Sequence, residues 1–225
     1  MLRTKLMKKR VGKEPGFEWR GEEITRFEGL SDAVFGFAVT LLIVSLEVPK
    51  TFSELLQAMR GFIAFAICFV LLMLIWYQQY IYFRRYGLQD NTTIALNSAL
   101  LFVVLFYIYP LKFLFSLLVN VRTGDSLEVH LSNGTVRNVI EQAQLPLLMI
   151  IYSAGYLAIS IVFALLFLHA HRLRTPLGLT ALEELVTRWS IYNAAFSGCL
   201  SLISIGLASL GSGRLAGAAG WIYPV

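Results

Sequence analysis

Long uncharged runs of mainly apolar residues recur along this chain, and their lengths indicate how it is built. Four of these runs cover residues 61–83, 92–111, 142–168 and 189–213. The hydrocarbon core of a bilayer is about 30 Å thick, and about 20 helical residues span it. Each run is long enough, so we predict four membrane-spanning helices from them.

Two further apolar segments are shorter. In the first, the uncharged stretch 33–46 spans a membrane only if Asp32 and the two residues before it enter the membrane as well. The last segment, 215–225, follows Arg214 and is long enough for about half a bilayer, so we interpret it as a short or truncated sixth helix. The predicted fold is therefore an all-α integral membrane protein, a six-helix transmembrane bundle with helices at about 27–49, 57–84, 91–119, 142–170, 186–211 and 214–225.

The composition agrees with a membrane protein. Hydrophobic residues make up 57% and charged residues 15%, with a mean hydropathy of +0.67, whereas a soluble domain has roughly 45–50% apolar and about 25% charged residues. The formal net charge is +5, but eight of the nineteen Lys and Arg residues precede residue 27. We therefore divide the chain into a basic arm, residues 1–25, and a transmembrane domain, residues 26–225, and expect no nucleic-acid surface.

The basic residues also predict the orientation in the membrane. If the segments alternate, the arm, Arg84-Arg85 and the cations at 172, 174 and 188 share one side, which is cytoplasmic by the positive-inside rule. The loop 120–141 then lies on the other side. Polar and apolar residues alternate in this loop around Asn133-Gly134, which predicts a small extracytoplasmic β-hairpin.

Motifs of enzymes and cofactor sites are missing from the sequence. It contains no Gly-x-Ser-x-Gly, no paired-histidine zinc motif and no phosphate-binding glycine loop, so we expect neither an enzyme nor a bound cofactor. Cys68 and Cys199 lie in apolar runs, and His169 and His171 lie at a predicted membrane border. We interpret these as packing and interfacial residues rather than metal ligands. The Thr-Val-Gly-Tyr-Gly re-entrant filter of many potassium channels is absent too.

A polar cluster opens the first helix. Arg26, Ser31 and Asp32 lie within two helical turns, and a charge inside hydrocarbon costs a few kcal/mol or more. We therefore expect these three residues to form a buried polar cluster at the cytoplasmic border. An N-terminal cap made by Ser31 and Asp32 is the alternative, but it leaves Arg26 unexplained.

An apolar stripe with one hydroxyl follows this cluster. At 100° per residue, the side chains that share one face of the helix are Ala33, Phe37, Thr40, Leu41 and Val44. Ordinary helix packing explains such a stripe. A narrow apolar ring that gates a channel by dewetting, with a hydroxyl to replace part of an ion's water, explains it as well.

The first helix resembles the hallmark of the transmembrane protein 175 family of endolysosomal-type potassium channels, Arg-x-x-x-Phe-Ser-Asp. Arg26, Ser31 and Asp32 fit this spacing, and Leu30 stands in place of the Phe. The likeness covers most of the first 120 residues and includes the segments 40–42, 47–49 and 76–79 together with Asn97 and Pro110.

This resemblance implies a homotetrameric prokaryotic channel of six-helix subunits, in which the first helices line the pore. Carried over by position, Phe37, Leu41 and Val44 form the pore constriction, K⁺ passes near Thr40, which contributes to potassium preference, and the polar cluster is structural. Phe37 departs from the family pattern, where Ile or Leu is usual, and Gln78-Gln79 stand where relatives often have two histidines.

We therefore expect a potassium-preferring monovalent cation channel in a prokaryotic plasma membrane. Its partners are further copies of the chain and the lipid bilayer, with anionic lipid at the basic arm. A secondary transporter and a non-conducting membrane scaffold are the alternative interpretations.

Overall fold

The computed structural model of this chain describes residues 17–21, 23–44, 51–123, 128–130 and 136–210. Its helices are α1 (Arg26–Val44), α2 (Phe52–Tyr86), α3 (Asn91–Thr123), α4 (Leu145–Arg172) and α5 (Ala181–Leu210). Two short strands, β1 (Glu128–His130) and β2 (Val136–Asn138), and a 3₁₀ turn at Gln142–Gln144 lie between α3 and α4.

Five of the six predicted helices correspond to these five, and the sixth, at 214–225, lies outside the described residues. Helix α5 begins at Ala181, five residues before the predicted start at 186. A capping box explains this: Thr180 N donates to Glu183 Oε2 at 2.8 Å, and Glu183 N donates to Thr180 Oγ1 at 3.3 Å. These reciprocal bonds satisfy amides of the first helical turn, so the helix starts in polar sequence.

Four of the helices are long and apolar enough to cross a membrane, over Gly61–Tyr86, Asn91–Val121, Leu145–Arg172 and Ala181–Leu210. These agree with the four long apolar runs. Helix α1 is not among these four; it has 19 residues and carries Arg26, Glu28 and Asp32 in its first two turns.

The described helices pack in a defined order. Helix α1 contacts both α2 and α3, while α4 contacts α3 and packs most extensively with α5. Gly155 of α4 faces the ring of Tyr107 on α3 so closely that a Cβ there would overlap the ring, and a glycine is therefore required. Aromatic rings of α2 and α4 also meet, with Tyr82 edge-on to Phe167 at 5.6 Å between centroids.

The predicted hairpin is present as an antiparallel strand pair, in which Val129 of β1 lies opposite Arg137 of β2. Its turn, residues 131–135, lies outside the described residues.

An extended strap, residues 17–21, precedes α1 and crosses the ends of two other helices. Arg20 N and Gly21 N both donate to Arg84 O at the end of α2, at 3.1 and 3.2 Å. The Arg20 guanidinium donates to both carboxylate oxygens of Glu183 at the start of α5, at 3.0 and 2.9 Å. A Cβ at Gly21 would overlap Phe83 O, so only glycine allows this approach. The chain entering α1 is therefore tied to both α2 and α5.

Candidate functional site

Helix α1 has one face packed against its own chain. Ser31, Phe35, Ala38 and Leu42 are at most 1% exposed. Their spacing of four, three and four residues places them on one side of the helix, and this side contacts α2 and α3. The packing fixes the rotation of α1 about its axis, and with it the direction of every other side chain of the helix.

The predicted stripe lies largely on exposed surface of α1. Ala33 and Thr40 are exposed, and 57% of the Phe37 surface is accessible. Leu41 is half-buried at the margin of this face, while the side chain of Val44 lies outside the described residues. Packing within one chain therefore does not account for Phe37 and Thr40, whereas Leu41 is partly covered.

The Thr40 hydroxyl has a defined orientation. Its Oγ1 donates to Gly36 O one turn earlier at 3.0 Å. A hydroxyl has one proton to donate and two lone pairs that accept. Because the proton is engaged by the helix backbone, Thr40 presents lone pairs on an exposed face, as a cation ligand does.

Ser31 lies at the centre of a buried polar network that joins three helices. Its Oγ donates to Phe27 O at 3.0 Å and accepts a bond from Asn97 Nδ2 of α3 at 2.8 Å. Asn97 Oδ1 in turn accepts a short hydrogen bond from Gln79 Nε2 of α2. Ser31, Gln79 and Asn97 are all at most 2% exposed. Such a satisfied network in a dry interior specifies one arrangement of α1, α2 and α3.

Asp32 makes a separate contact. Trp76 of α2 donates its indole Nε1 proton to Asp32 Oδ1 at 2.8 Å, and the Trp76 ring stacks on Tyr80 with centroids 5.7 Å apart. Asp32 itself is exposed in the single chain.

The buried ion pair of α1 is made by other residues than those expected. Arg26 is exposed and makes no hydrogen bond or ion pair with another described residue, so within one chain Arg26, Ser31 and Asp32 are not a single buried cluster. Instead, Glu28 pairs with Arg84 of α2, both below 10% exposed, and Arg84 Nη1 donates to Gly21 O at 2.6 Å. From the sequence, Arg84 indicated only the orientation in the membrane, and Glu28 was not expected to pair with it. Glu28 lies one turn before Asp32, and this second acid at the start of α1 is the sequence feature that could have indicated a buried pair.

The remaining titratable groups favour structural roles. Among the described residues, no group of three or more His, Cys, Asp or Glu side chains could hold a metal ion. His169 Nε2 lies 2.9 Å from Asp90 Oδ2, and Thr93 Oγ1 donates to Asp90 Oδ1 at 2.7 Å. Partial burial alone would raise the pKa of Asp90, but the bond from Thr93 and the charge of His169 outweigh it, and the pKa lies below its ordinary value.

Relatives are found by sequence. A family model described as endosomal/lysosomal potassium channel TMEM175 matches residues 26–107, the part of the chain that carries α1 and its buried network. A protein named potassium channel from Marivirga tractuosa is 45% identical over 183 residues, which cover 80% of this chain and 73% of the relative. A second potassium channel, from Chamaesiphon minutus, is 26% identical over 156 residues, 66% of each protein.

Solved structures are similar as well. A crystal structure of the potassium channel MtTMEM175, a threonine-to-alanine variant bound to a nanobody–MBP fusion, has a TM-score of 0.82 and 40% identity and covers 95% of this chain and 93% of that one. A lysosomal potassium-selective channel TMEM175 homologue from Chamaesiphon minutus has a TM-score of 0.58 and covers 86% of this chain and 90% of that one. Its identity of 24% shows a shared fold only.

Proposed function

This chain belongs to the TMEM175 family of potassium channels, and on that premise we propose that it forms a homotetrameric, potassium-preferring pore with the α1 helix of each subunit at its centre. It is an integral membrane protein and a potassium channel rather than an enzyme. The assembly, the gate and the ion preference are the parts we propose.

One observation carries the proposal. The face of α1 opposite the packed side exposes Phe37 and Thr40, with Phe37 57% exposed. Apolar rings and hydroxyls with free lone pairs both suit the wall of a narrow ion pathway. Four copies of α1 around an axis would bring four such faces together and cover them.

The constriction is apolar. In our proposal Phe37 forms the narrowest ring, and Leu41 and Val44 form further layers about one and two turns away. An ion at such a ring loses hydration that no side chain replaces, so desolvation makes the barrier. The ring thus acts as gate, and its width determines how much water an ion must shed.

Ion preference comes from Thr40. Its proton is donated to Gly36 O, so in the proposed pore four Oγ1 atoms offer lone pairs to a passing K⁺. Hydroxyls replace part of a cation's hydration shell without the geometry of a carbonyl filter, so we expect a modest preference for potassium over sodium.

The polar residues at the start of α1 have a structural role in this proposal. Ser31 is fixed by Asn97 and Asp32 by Trp76. Arg26, exposed in the single chain, would lie near the neighbouring subunits of the tetramer. These contacts keep the constriction residues pointed at the pore axis.

The remaining features are proposed from the sequence. Each subunit has a sixth helix at 214–225, and the basic arm 1–25 lies in the cytoplasm of a prokaryotic cell, where anionic lipid of the plasma membrane attracts it.

Flux through purified protein in liposomes tests the function. A channel passes K⁺ at a rate proportional to the driving force, with Na⁺ slower. A saturating, coupled flux would indicate a carrier, and no flux under any condition a scaffold. Either result, or permeation by anions, would overturn the proposal.

A further inference from the structure

A second feature lies away from the α1 face. A groove of about 440 Å³ runs between α2 and α5. Its wall is formed by the side chains of Trp19, Tyr77, Gln78, Ile81, Arg85, Phe167, Trp189, Ser190 and Asn193. Four of these are aromatic and none of the described lining residues is acidic. Trp189 and Tyr77 are 72% and 55% exposed, so the groove opens on the surface of the single chain.

The polarity of the groove changes along its length. At the end near the strap, the Arg85 guanidinium lies 5.2 Å from the Phe17 ring centroid, and its Nη1 donates to Ser190 Oγ at 3.4 Å. Gln78 is seven residues back along α2, about 10 Å deeper at 1.5 Å per residue. Asn193 is one turn deeper than Ser190 on α5. Arg85 is 9% exposed, so at this end the groove presents the accessible edge of a largely buried cation, and two amides lie deeper.

The two amides are unusual for their position. Gln78 and Asn193 lie within spanning segments, and neither side chain has a hydrogen-bond partner among the described residues. An unpaired amide in an apolar setting costs free energy until a polar group reaches it. A ligand with acceptors at that depth would satisfy both.

We propose that this groove binds one anionic phospholipid, with its phosphate at Arg85 and its glycerol ester carbonyls at Gln78 and Asn193. The lipid offers a negative headgroup and then two carbonyl acceptors, in the same order as the groove offers a cation and then two amides. Basic sites between transmembrane helices recognise headgroups in this way, and Trp and Tyr favour the membrane interface. Arg188, exposed beside Trp189, adds positive charge at the headgroup level.

Native mass spectrometry of the purified channel tests the headgroup contact. We expect phosphatidylglycerol to bind about fivefold more tightly than phosphatidylcholine with the same acyl chains, and Arg85→Gln to reduce this preference to about one. Arg172→Gln is the matched control, because Arg172 is exposed and does not line the groove; it should leave the preference intact. Equal binding of both lipids to the wild type, or loss of the preference in both variants, would overturn the proposal.

The ester contact is tested separately, since Arg85→Gln could impair folding. Asn193→Leu should weaken both ester-linked lipids alike and keep the preference for the anionic headgroup. An ether-linked phosphatidylglycerol, which lacks the carbonyls, should bind the wild type several-fold more weakly than the ester lipid does. The ether lipid should bind the wild type and Asn193→Leu with the same affinity. Unchanged ester binding in Asn193→Leu would overturn the proposal. Lipid binding to dissociated subunits but not to the assembled channel would also overturn it, because a second copy would then fill the groove.

Discussion

The indole N–H of Trp76 donates to Asp32 Oδ1 at 2.8 Å, and this hydrogen bond joins α2 to α1 across 44 residues of sequence. Asn97 makes the corresponding contact from α3, through Ser31 on the neighbouring position of α1. Adjacent residues on α1 are thus held by two different helices, so α1 cannot rotate about its axis without breaking one of these bonds.

Asp32→Ala should reduce the yield of assembled channel and its melting temperature before it changes ion preference. A hydrogen bond to a charged group contributes about 1.5–3 kcal/mol, and the exposure of Asp32 places this one at the lower end. Trp76→Phe removes the same bond, so the double variant should be no less stable than the less stable of the two single variants. Tyr192→Phe, at an exposed position of α5, is the control. Normal assembly with altered selectivity in Asp32→Ala would instead place Asp32 in the pore.

Phe37→Ala should raise the resting potassium conductance, because it removes most of the proposed apolar ring. Phe37→Asn should raise it too, since water and ions gain a polar partner at the narrowest level. The measurement is single-channel recording in planar bilayers. Phe102→Ala on α3 is a matched control, because Phe102 is 73% exposed but belongs to another helix.

The same recordings locate the ring along α1. A leak in Leu41→Ala with none in Phe37→Ala would move the constriction one turn along the helix. If neither variant leaked, α1 would not line the pore. Val39→Ala should have little effect on conductance, because Val39 packs against the core of its own chain.

Thr40→Val should lower the preference for potassium over sodium several-fold towards unity, because it replaces the hydroxyl with a methyl group of similar size. Thr40→Ser keeps the hydroxyl and should retain most of the preference. Reversal potentials under bi-ionic K⁺/Na⁺ conditions measure both variants. An unchanged reversal potential in Thr40→Val would show that another group discriminates between the ions.

Glu28→Gln should destabilise the subunit by about 3–5 kcal/mol, because it leaves the buried charge of Arg84 without its partner. Replacing both residues, as Glu28→Leu with Arg84→Met, should recover a large part of this loss. Thermal unfolding in detergent measures the difference. A Glu28→Gln variant as stable as the wild type would show that the pair contributes little.

Asp90→Asn should flatten the loss of stability in acid. The pKa of Asp90 lies below its ordinary value of 3.8 in the folded chain, so its contribution is complete above that value and is lost as the pH falls through the lower folded pKa. The fall in melting temperature between pH 6 and pH 3 should be smaller in Asp90→Asn than in the wild type. Glu23→Gln, at an exposed position, is the control.

Hydropathy predicted the helices well but not where they end. Hydropathy identifies the residues that are favourable in hydrocarbon. A helix, in contrast, ends where its terminal backbone N–H and C=O groups find hydrogen-bond partners outside the helix. At α5 those partners come from the Thr180 and Glu183 capping box, which lies before the apolar run.

Periodicity grouped Ala33, Phe37 and Thr40 on one face of α1, and all three are exposed in the single chain. This part was predictable because the positions that share a face of a helix follow from the sequence of that helix alone. The partners of α1 are not local. Glu28 and Arg84 are 56 residues apart, and Ser31 and Asn97 are 66 apart. The family resemblance pointed to Ser31 and Asn97, but nothing in the spacing of Glu28 or Arg84 indicates that they meet.

The Glu28–Arg84 pair and the strap together make the first turn of α1 a fixed pivot. A helix that tilts about its first turn moves least there and most at its far end. Phe37 lies about 13 Å and Val44 about 24 Å from Glu28 along the helix, at 1.5 Å per residue. A tilt of about 5° therefore displaces the backbone at Phe37 by roughly 1 Å and at Val44 by roughly 2 Å. In the proposed tetramer, such a tilt would therefore change the width of the Phe37 ring, with no translation of the helix along its axis.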